Sequence, residues 1–119
     1  MSNRRLLRVA GLLREEIYDI IRREVHDPRV TDQDFTVTRT EVSPDLSRAR
    51  IMISSLLPET ARNNLLLGLN HASGYIHLEL MRRIRLKTIP ALVFEYDDGL
   101  EKSQRIADLI HSLKREERP

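Results

Sequence analysis

Hydrophobic residues recur at steps of three and four along the first part of the chain. This spacing places them on one face of a helix and predicts an amphipathic helix over roughly residues 3–25. Ser2 and Asn3 are suitable caps for its start. Asp27 marks its end, because a residue before proline is biased out of the helical region. The apolar positions are Leu6, Val9, Ala10, Leu13, Ile17, Ile20, Ile21 and Val25.

Two stretches with the composition of β-strands follow the helix. Residues 35–42 are rich in β-branched side chains, and residues 48–54 alternate apolar with polar side chains. Residues 43–47, between them, contain the Ser, Pro and Asp that favour a turn. The pattern predicts two strands joined as a hairpin.

A second helical series begins after Pro58 and Glu59, which suit the first turn of a helix. Its apolar positions keep one phase through Ser73 and Gly74, two residues that disfavour a helix interior. This conflict predicts a kinked helix, or two helices that meet at a tight joint. The small residues Ala72, Ser73 and Gly74 also permit close backbone approach. The stripe consists of Leu65, Leu69, Ala72, Ile76, Leu80 and Ile84.

A third strand is predicted after Pro90, over residues 91–96, and a last helix follows it. Asp98 and Glu101 resemble a capping box, and residues 115–119 are expected to fray. The resulting order predicts a single α+β domain over the 119 residues, with helices on one face of a three-stranded mixed sheet. The hairpin is antiparallel, and the long crossover lets the second and third strands be parallel. The last helix carries Ile106, Leu109, Ile110 and Leu113.

Composition narrows the class of protein. Hydrophobic residues make up 40% of the chain and charged residues 32%, as in soluble globular proteins. The chain has no cysteine, which excludes disulfides and cysteine-based zinc sites. No apolar stretch approaches the ~18 residues that span a bilayer, and no signal-peptide cleavage pattern follows the basic start. We therefore expect a cytoplasmic protein without membrane contact.

No residue pattern indicates catalysis, a metal or a cofactor. His26 and Asp27 adjoin a helix end, where local capping explains the carboxylate better than catalysis. His71, His77 and Glu79 do not have the spacing of a helical zinc motif, which needs His at i and i+4. The chain has four glycines and no phosphate-binding loop. We expect a protein that is not an enzyme and that binds no metal or cofactor.

Two basic segments stand out against otherwise mixed charges. The first precedes Glu15, the first acid, and the second lies between Glu79 and Glu95. Because the balancing acids of a solvated helix face are missing locally, the clustered cations favour a phosphate partner, with the solvated face as the alternative. On a continued helix, Arg82, Arg85 and Lys87 fall mostly away from the apolar stripe of Leu80 and Ile84. The cations are Arg4, Arg5, Arg8 and Arg14 in the first segment, and Arg82, Arg83, Arg85 and Lys87 in the second.

The scarcity of aromatic residues limits the kind of nucleic acid that such a surface would bind. They make up only 4% of the chain, and tryptophan is absent. A protein that binds single strands by serial base stacking carries more. A nucleic-acid partner would therefore be recognised by its backbone and shape. Tyr75 is the one candidate stacking residue, although packing at the helix joint explains it better.

Three stretches of the chain match a known pattern in order and spacing. RREVHDPRV at residues 22–30 contains an Asp-Pro-Arg segment at a helix end, and ASGYI at residues 72–76 contains an Ala-x-Gly kink. MRRIRLKTIPALVFEYD at residues 81–97 joins a basic helix end, a proline, a strand and an aspartate. Together they resemble ribosome-binding factor A, a family of bacterial small-subunit maturation factors, over about residues 8–113.

The resemblance implies a type-II KH-like fold, with the order α-β-β-α-kink-α-β and a C-terminal helix. Ordinary KH domains hold a single strand with a Gly-x-x-Gly loop between two helices. Ala72-Ser73-Gly74 lacks one glycine and one residue of that loop, so single-strand clamping is not expected. We expect the kink to present the second basic segment to folded RNA. The predicted phosphate contacts are Arg4, Arg5, Arg8, Arg29, Arg82, Arg83, Arg85 and Lys87.

The resemblance also implies a function. Family members bind the free 30S subunit and assist late maturation of 16S rRNA near its 5′ end and the decoding region. The expected partners are the 30S subunit, 16S rRNA and an assembly GTPase on the same particle, and cold sensitivity is expected. The chain itself is expected to be a monomer. Two alternatives are a protein-interaction adaptor and a KH-like binder of some other RNA.

Overall fold

Helices cover one side of a three-stranded sheet. The structure, a computed structural model, describes residues 3–98, 109–111 and 113. The predicted order of elements is confirmed up to the third strand, with one short helix added after the first. The elements are α1 (Asn3–Glu24), α2 (Pro28–Thr31), β1 (Thr36–Val42), β2 (Arg48–Ser54), α3 (Glu59–His71), α4 (Ser73–Arg83) and β3 (Ala91–Tyr96).

The long helix α1 buries the face that the periodicity predicts. Leu13 and Ile17 on this face are fully buried. The helix ends at Glu24, and Asp27 then begins α2, with its carboxylate accepting a hydrogen bond from the Arg29 amide at 2.9 Å. The interpretation of Asp27 as helix-end chemistry is confirmed, but Asp27 starts α2 instead of ending α1. Helix α2 has four residues, too few for a periodic pattern to reveal.

The sheet has the strand order β1-β2-β3 and the directions that the sequence predicts. Strands β1 and β2 are antiparallel, and β2 and β3 are parallel. On the open face, the exposed Arg50 of β2 lies between Glu41 and Glu95 of the neighbouring strands. The opposite face packs against the helices. Its buried side chains are Val37, Ala49, Ile51, Ile53, Leu92 and Phe94.

One side chain of α3 binds the outer edge of β3. The side-chain nitrogen of Asn70, Nδ2, donates to the Phe94 carbonyl at 3.1 Å. Its side-chain oxygen, Oδ1, accepts from the Phe94 backbone amide at 2.9 Å. These two bonds are the pair that one residue of a further strand would make. Helix α3 is therefore tied to the sheet by a polar contact as well as by its buried face.

The predicted break between the two middle helices is a joint of one residue. Helix α3 ends at His71 and α4 begins at Ser73. The Ala72 amide between them donates to the Gly68 carbonyl at 3.1 Å. The Ser73 hydroxyl donates to the Asn70 carbonyl at 2.8 Å. Ser73 therefore satisfies a carbonyl at the end of α3, which explains its place in the middle of the apolar stripe.

Two expectations about this region are wrong. A Cβ added at Gly74 would meet nothing within 4 Å, so Gly74 does not permit a close backbone approach. Helix α4 also ends at Arg83, because Ile84 is extended, with φ −118° and ψ 132°. Arg85 and Lys87 consequently lie in the loop before β3 and not on a helix.

The close approach occurs at Gly68 instead. A Cβ added there would lie 2.8 Å from Val30 Cγ2 and 3.1 Å from Arg29 Cβ. Helix α2 thus packs against α3 at the one point where α3 has no side chain. The sequence pattern gave no reason to single out Gly68.

The predicted last helix is described only in part. Leu109 and Leu113 are helical and exposed. The predicted capping residue Glu101, the apolar Ile106 and the tail 115–119 lie outside the described residues. In the part of the chain that the structure describes, no helix is long and apolar enough to cross a membrane.

Replacing Gly68 with alanine is expected to lower the free energy of unfolding by about 1–3 kcal/mol, because the new methyl would overpack against buried Val30. Gly74→Ala is the matched control. It is expected to raise the free energy of unfolding by about 0.5–1 kcal/mol, because alanine favours a helix and the site is open. Urea unfolding measures the free energy of unfolding of both variants. Equal changes in the two would contradict the close contact between Gly68 and α2.

Candidate nucleic-acid interface

The first basic segment lies on the opening turns of α1. Arg4, Arg5 and Arg8 are exposed there, and no acid precedes Glu15. The N-terminus of a helix carries a partial positive charge, so cations at this end slightly lower the stability of α1. Their position favours a role toward an anionic partner.

The second basic segment spans the last turn of α4 and the loop that follows. Arg85 and Lys87 are exposed in the loop, and the side chain of Arg82 is 79% exposed. The expectation that no acid balances this segment is wrong, because Glu79 lies 3.3 Å from Arg82, one turn earlier on α4. This pair is solvent-exposed on the arginine side and contributes little to stability.

Arg83 differs from its neighbours because four carboxylates surround it. Its side chain is only 26% exposed. The hydrogen bond from Arg83 lowers the pKa of Asp19, and the same bond is the main cause that raises the pKa of Arg83. We call Arg83 and its four partners the Arg83 cluster. The distances from Arg83 nitrogens to carboxylate oxygens are 2.7 Å for Asp19, 3.0 Å for Glu24, 3.2 Å for Glu16 and 4.0 Å for Glu79.

The Arg83 cluster joins α4 to α1, since three of its carboxylates belong to α1. An arginine that is already surrounded by carboxylates is a poor phosphate contact, because phosphate would have to displace them and face their negative charge. The geometry therefore assigns Arg83 to this ion-pair cluster and disfavours its predicted contact with phosphate. The sequence could not reveal this, because Glu16 lies 67 positions away.

The cluster also shows which part of α1 lies beside the end of α4. Arg83 contacts Glu16, Asp19 and Glu24, so the second basic segment begins beside the second half of α1. Arg8 lies about two turns, or roughly 12 Å, before Glu16 on α1. Desolvation raises the pKa of Tyr75, early in α4, and the charge of Glu24 adds to the rise.

Arg29 is bound by Asp27. Its Nε and Nη2 lie 3.1 and 2.7 Å from the Asp27 carboxylate oxygens. The hydrogen bonds from the Arg29 side chain and amide lower the pKa of Asp27 to about 2. The Arg29 side chain is 41% exposed, so its contact with phosphate stays a prediction. The structural role of the Asp-Pro-Arg segment is to begin α2 and hold it.

Two further arginines lie beside the start of β1: Arg14, which belongs to the first basic segment, and Arg22, which belongs to neither; the sequence did not place either among the predicted phosphate contacts. Arg14 Nε donates to the Val37 carbonyl at 3.1 Å, and Arg22 Nη2 donates to the Phe35 carbonyl at 3.2 Å. The Arg22 guanidinium also lies over the Phe35 ring, 4.5 Å from its centroid. No local pattern indicates these contacts, because each joins α1 to a segment more than ten residues away.

The described surface offers cations for binding and no group arranged for metal chemistry. Within residues 3–98, 109–111 and 113, no group of three or more His, Asp or Glu is placed to hold a metal ion. The fold and this surface define the class as an α+β protein of KH-like topology with two exposed basic segments.

Comparison with known proteins narrows this class to a family. The family model described as ribosome-binding factor A matches residues 5–110. A ribosome-binding factor A from Prochlorococcus marinus is 37% identical over 115 residues, which cover 97% of this chain and 94% of the relative. One from Halothermothrix orenii is 40% identical over 117 residues, with 98% and 94% covered. The chain belongs to the ribosome-binding factor A family.

Solved structures agree with the fold. The crystal structure of ribosome-binding factor A from Thermus thermophilus superposes with a TM-score of 0.66 at 23% identity, covering 76% of this chain and 94% of that one. A homology model of the Thermus thermophilus protein, fitted into a cryo-EM map of a 30S complex, gives a TM-score of 0.61 at 22% identity. The aligned region covers 78% of this chain and 96% of the homology model.

Replacing Arg83 with glutamine is expected to lower the free energy of unfolding by about 1–2 kcal/mol, since several partly exposed ion pairs of roughly 0.2–1 kcal/mol each are lost together. The difference from the wild type should shrink in about 1 M salt, which screens these pairs. Arg82→Gln is the control, expected to change stability by less than about 0.5 kcal/mol because Arg82 is mostly exposed. Equal losses for the two variants would contradict the structural role of Arg83.

Asp27→Asn is expected to reduce stability in a pH-dependent manner. The folded-state pKa of Asp27, about 2, lies below its ordinary value of 3.8, so the ionised carboxylate stabilises the fold above about pH 4. That contribution is lost as the pH falls from about 4 through 2. Asparagine can still cap α2, so the variant removes mainly the charge. The wild type should melt at a higher temperature at pH 6, and the difference should shrink as the pH falls and vanish only below about pH 2; a pH-independent difference would contradict this account.

Proposed function

We propose that this chain binds the free 30S ribosomal subunit in the bacterial cytoplasm and assists late maturation of 16S rRNA near its 5′ end, without catalysing a reaction. Family membership supports the proposal, as does the Thermus thermophilus relative that was fitted into a map of a 30S complex. The proposal includes action as a monomer, an assembly GTPase as a partner on the same particle, and a greater need for the protein in the cold.

The observation that carries the proposal is the exposure of two basic segments on helices that pack against each other. They lie far apart in the sequence, and Arg83 at the end of α4 contacts Glu16, which lies roughly 12 Å along α1 from Arg8. Guanidinium and ammonium groups bind phosphate oxygens through charge-assisted hydrogen bonds, and the release of counterions from RNA favours such contacts. The exposed cations of the two segments are Arg4, Arg5, Arg8, Arg82, Arg85 and Lys87.

The joint between α3 and α4 favours folded RNA over a single strand as the partner. The Ala72 amide and the Ser73 hydroxyl already donate to carbonyls of α3. They are therefore committed within the helices, unlike the loop that holds a strand in ordinary KH domains. The joint instead sets the direction of α4, whose far end carries the second basic segment.

The proposed mechanism is differential binding. A rigid basic surface binds best to the rRNA arrangement whose phosphates match its spacing. Binding of that arrangement shifts the population toward it, and no covalent step is needed. Maturation then proceeds from the favoured arrangement.

Co-sedimentation with ribosomal particles tests this function. The wild-type protein is expected to pellet with free 30S subunits, and not with large subunits or complete ribosomes. Contacts with about five phosphates predict a log–log salt slope of roughly −3.5 to −4.5. Arg85→Glu is expected to weaken binding at least about tenfold, because it replaces an attraction to phosphate with a repulsion.

Arg48→Glu is the control for net charge, since Arg48 is exposed on β2, opposite Ala91, and is not one of the predicted phosphate contacts. It should bind nearly as well as the wild type. An equal loss in both variants would show dependence on net charge alone. Absence of 30S binding at low salt would overturn the proposed function and favour the adaptor, whose apolar interface would respond little to salt. Equal competition by unrelated folded RNA would favour the general RNA binder.

A further inference from the structure

The loop that carries Arg85 and Lys87 has one side toward the core. It spans residues 84–90, between α4 and β3, and we call it the basic loop. Ile84, at its start, is extended and buried, and Leu86 is half-buried against the core. Arg85 and Lys87 are exposed. Because side chains alternate in an extended chain, the two cations lie on the same outer side of the basic loop.

Two hydrogen bonds fasten the basic loop to the last turns of α4. The Ile84 amide donates to the Leu80 carbonyl at 2.9 Å, and Nε2 of His77 lies 3.0 Å from the Ile89 carbonyl oxygen. A carbonyl oxygen only accepts, so Nε2 carries the hydrogen and donates it. His77 and Leu80 are three positions apart and therefore share one face of α4. The start and the end of the basic loop are thus anchored to the same face of one helix.

The His77 ring also lies between the helix and the basic loop. It is half-buried and lines a cleft of about 180 Å³, together with Met81 of α4 and with Leu86 and Ile89 of the loop. The ring therefore contacts the space under the loop as well as its backbone. A side chain at this place can set the distance between the loop and α4.

The next hydrogen bond along the chain holds it to the sheet. The Ala91 amide donates at 3.0 Å to the carbonyl of Ser47, in the turn between β1 and β2. Without the bond from His77, the position of the basic loop relative to α4 would depend on the bond at Ile84 and on apolar packing. The loop could then move relative to the last turn of α4, which carries Arg82.

We propose that His77 is a positioning residue, which holds Arg85 and Lys87 in a fixed arrangement relative to Arg82 through its bond to Ile89. The inference rests on the proposed function and names a residue that favours the binding of rRNA without touching it. A cation that is held in place before binding loses less conformational freedom when it meets a phosphate. The same contact therefore gives a higher affinity.

Paired substitutions at position 77 test the role of the hydrogen bond. Leucine and glutamine have similar helix propensities, but only glutamine offers a donor, at about the distance of Nε2 from the backbone. His77→Leu is expected to bind free 30S subunits about three- to tenfold more weakly than the wild type, and His77→Gln should stay within about twofold. Co-sedimentation at increasing 30S concentration measures both affinities. Equal losses in the two variants would overturn the proposal.

A thermal melt confirms that each variant is folded. If His77→Leu is unfolded, His77→Ala takes its place, because alanine also lacks a donor and favours a helix.

A double-mutant cycle shows whether His77 acts through the two cations. The reference is the variant Arg85→Gln, Lys87→Gln, whose basic loop has no charge left to position. Adding His77→Leu to this variant is expected to change its affinity by less than about twofold at low salt, because groups that act as a unit are not additive. An effect of His77 on overall structure would lower the affinity by the same factor in both backgrounds. That result would overturn the proposal.

The dynamics of the basic loop give a readout that does not need the ribosome. Backbone NMR order parameters of residues 85–89 are expected to be close to ~0.85 in the wild type and in His77→Gln, as for rigid backbone, and to fall toward ~0.6 in His77→Leu. Unchanged order parameters in His77→Leu would overturn the proposal, even if 30S binding fell. Failure of the wild type to bind 30S would contradict the proposed function, whereas the order parameters test the anchoring by His77 independently.

Discussion

The structure depends on the burial of the apolar face of the sheet under the helices, because apolar surface left in water costs free energy. Helix α1 supplies fully buried side chains, among them Leu13 and Ile17, and α3 and α4 add Leu69 and Ile76. This burial sets the distance between the two layers and brings the polar side chains of the helices to the edges of the sheet. The ion pairs of Arg83 with α1, and the bonds of Arg14 and Asn70 to the edges of the sheet, form only when the helices are packed on this face.

The arginines of this chain have three different tasks, although they look alike in the sequence. Arg22 donates to a backbone carbonyl, Arg83 is surrounded by carboxylates, and Arg85 is exposed in a loop. The difference lies in what other elements place beside each one. Arginine suits all three tasks because its planar group donates in several directions and stays charged. A count of basic residues therefore overstates the surface that is open to RNA.

The joint between α3 and α4 illustrates how a local conflict in the sequence is resolved. Ser73 is unfavourable in the middle of a helix and favourable at a helix boundary, where its hydroxyl binds the Asn70 carbonyl. Gly74 has open space around it, whereas Gly68, which no pattern singled out, allows α2 to approach α3. Periodicity detects a break in a helix, but it contains no information about which glycine has a neighbour.

The sequence by itself determined α1, α3, α4 and the three strands, the order of these elements, the directions of the strands, the break near Ser73 and the two basic segments. Each of these follows from residues close together in the chain, through the period of apolar positions, turn chemistry or local charge. Only the tertiary structure decided that Arg83 joins two helices, that the edge of β1 binds Arg14, and that the second basic segment begins beside Glu16 of α1. These contacts join distant parts of the chain, and they form only where the packing of the two layers brings those parts together.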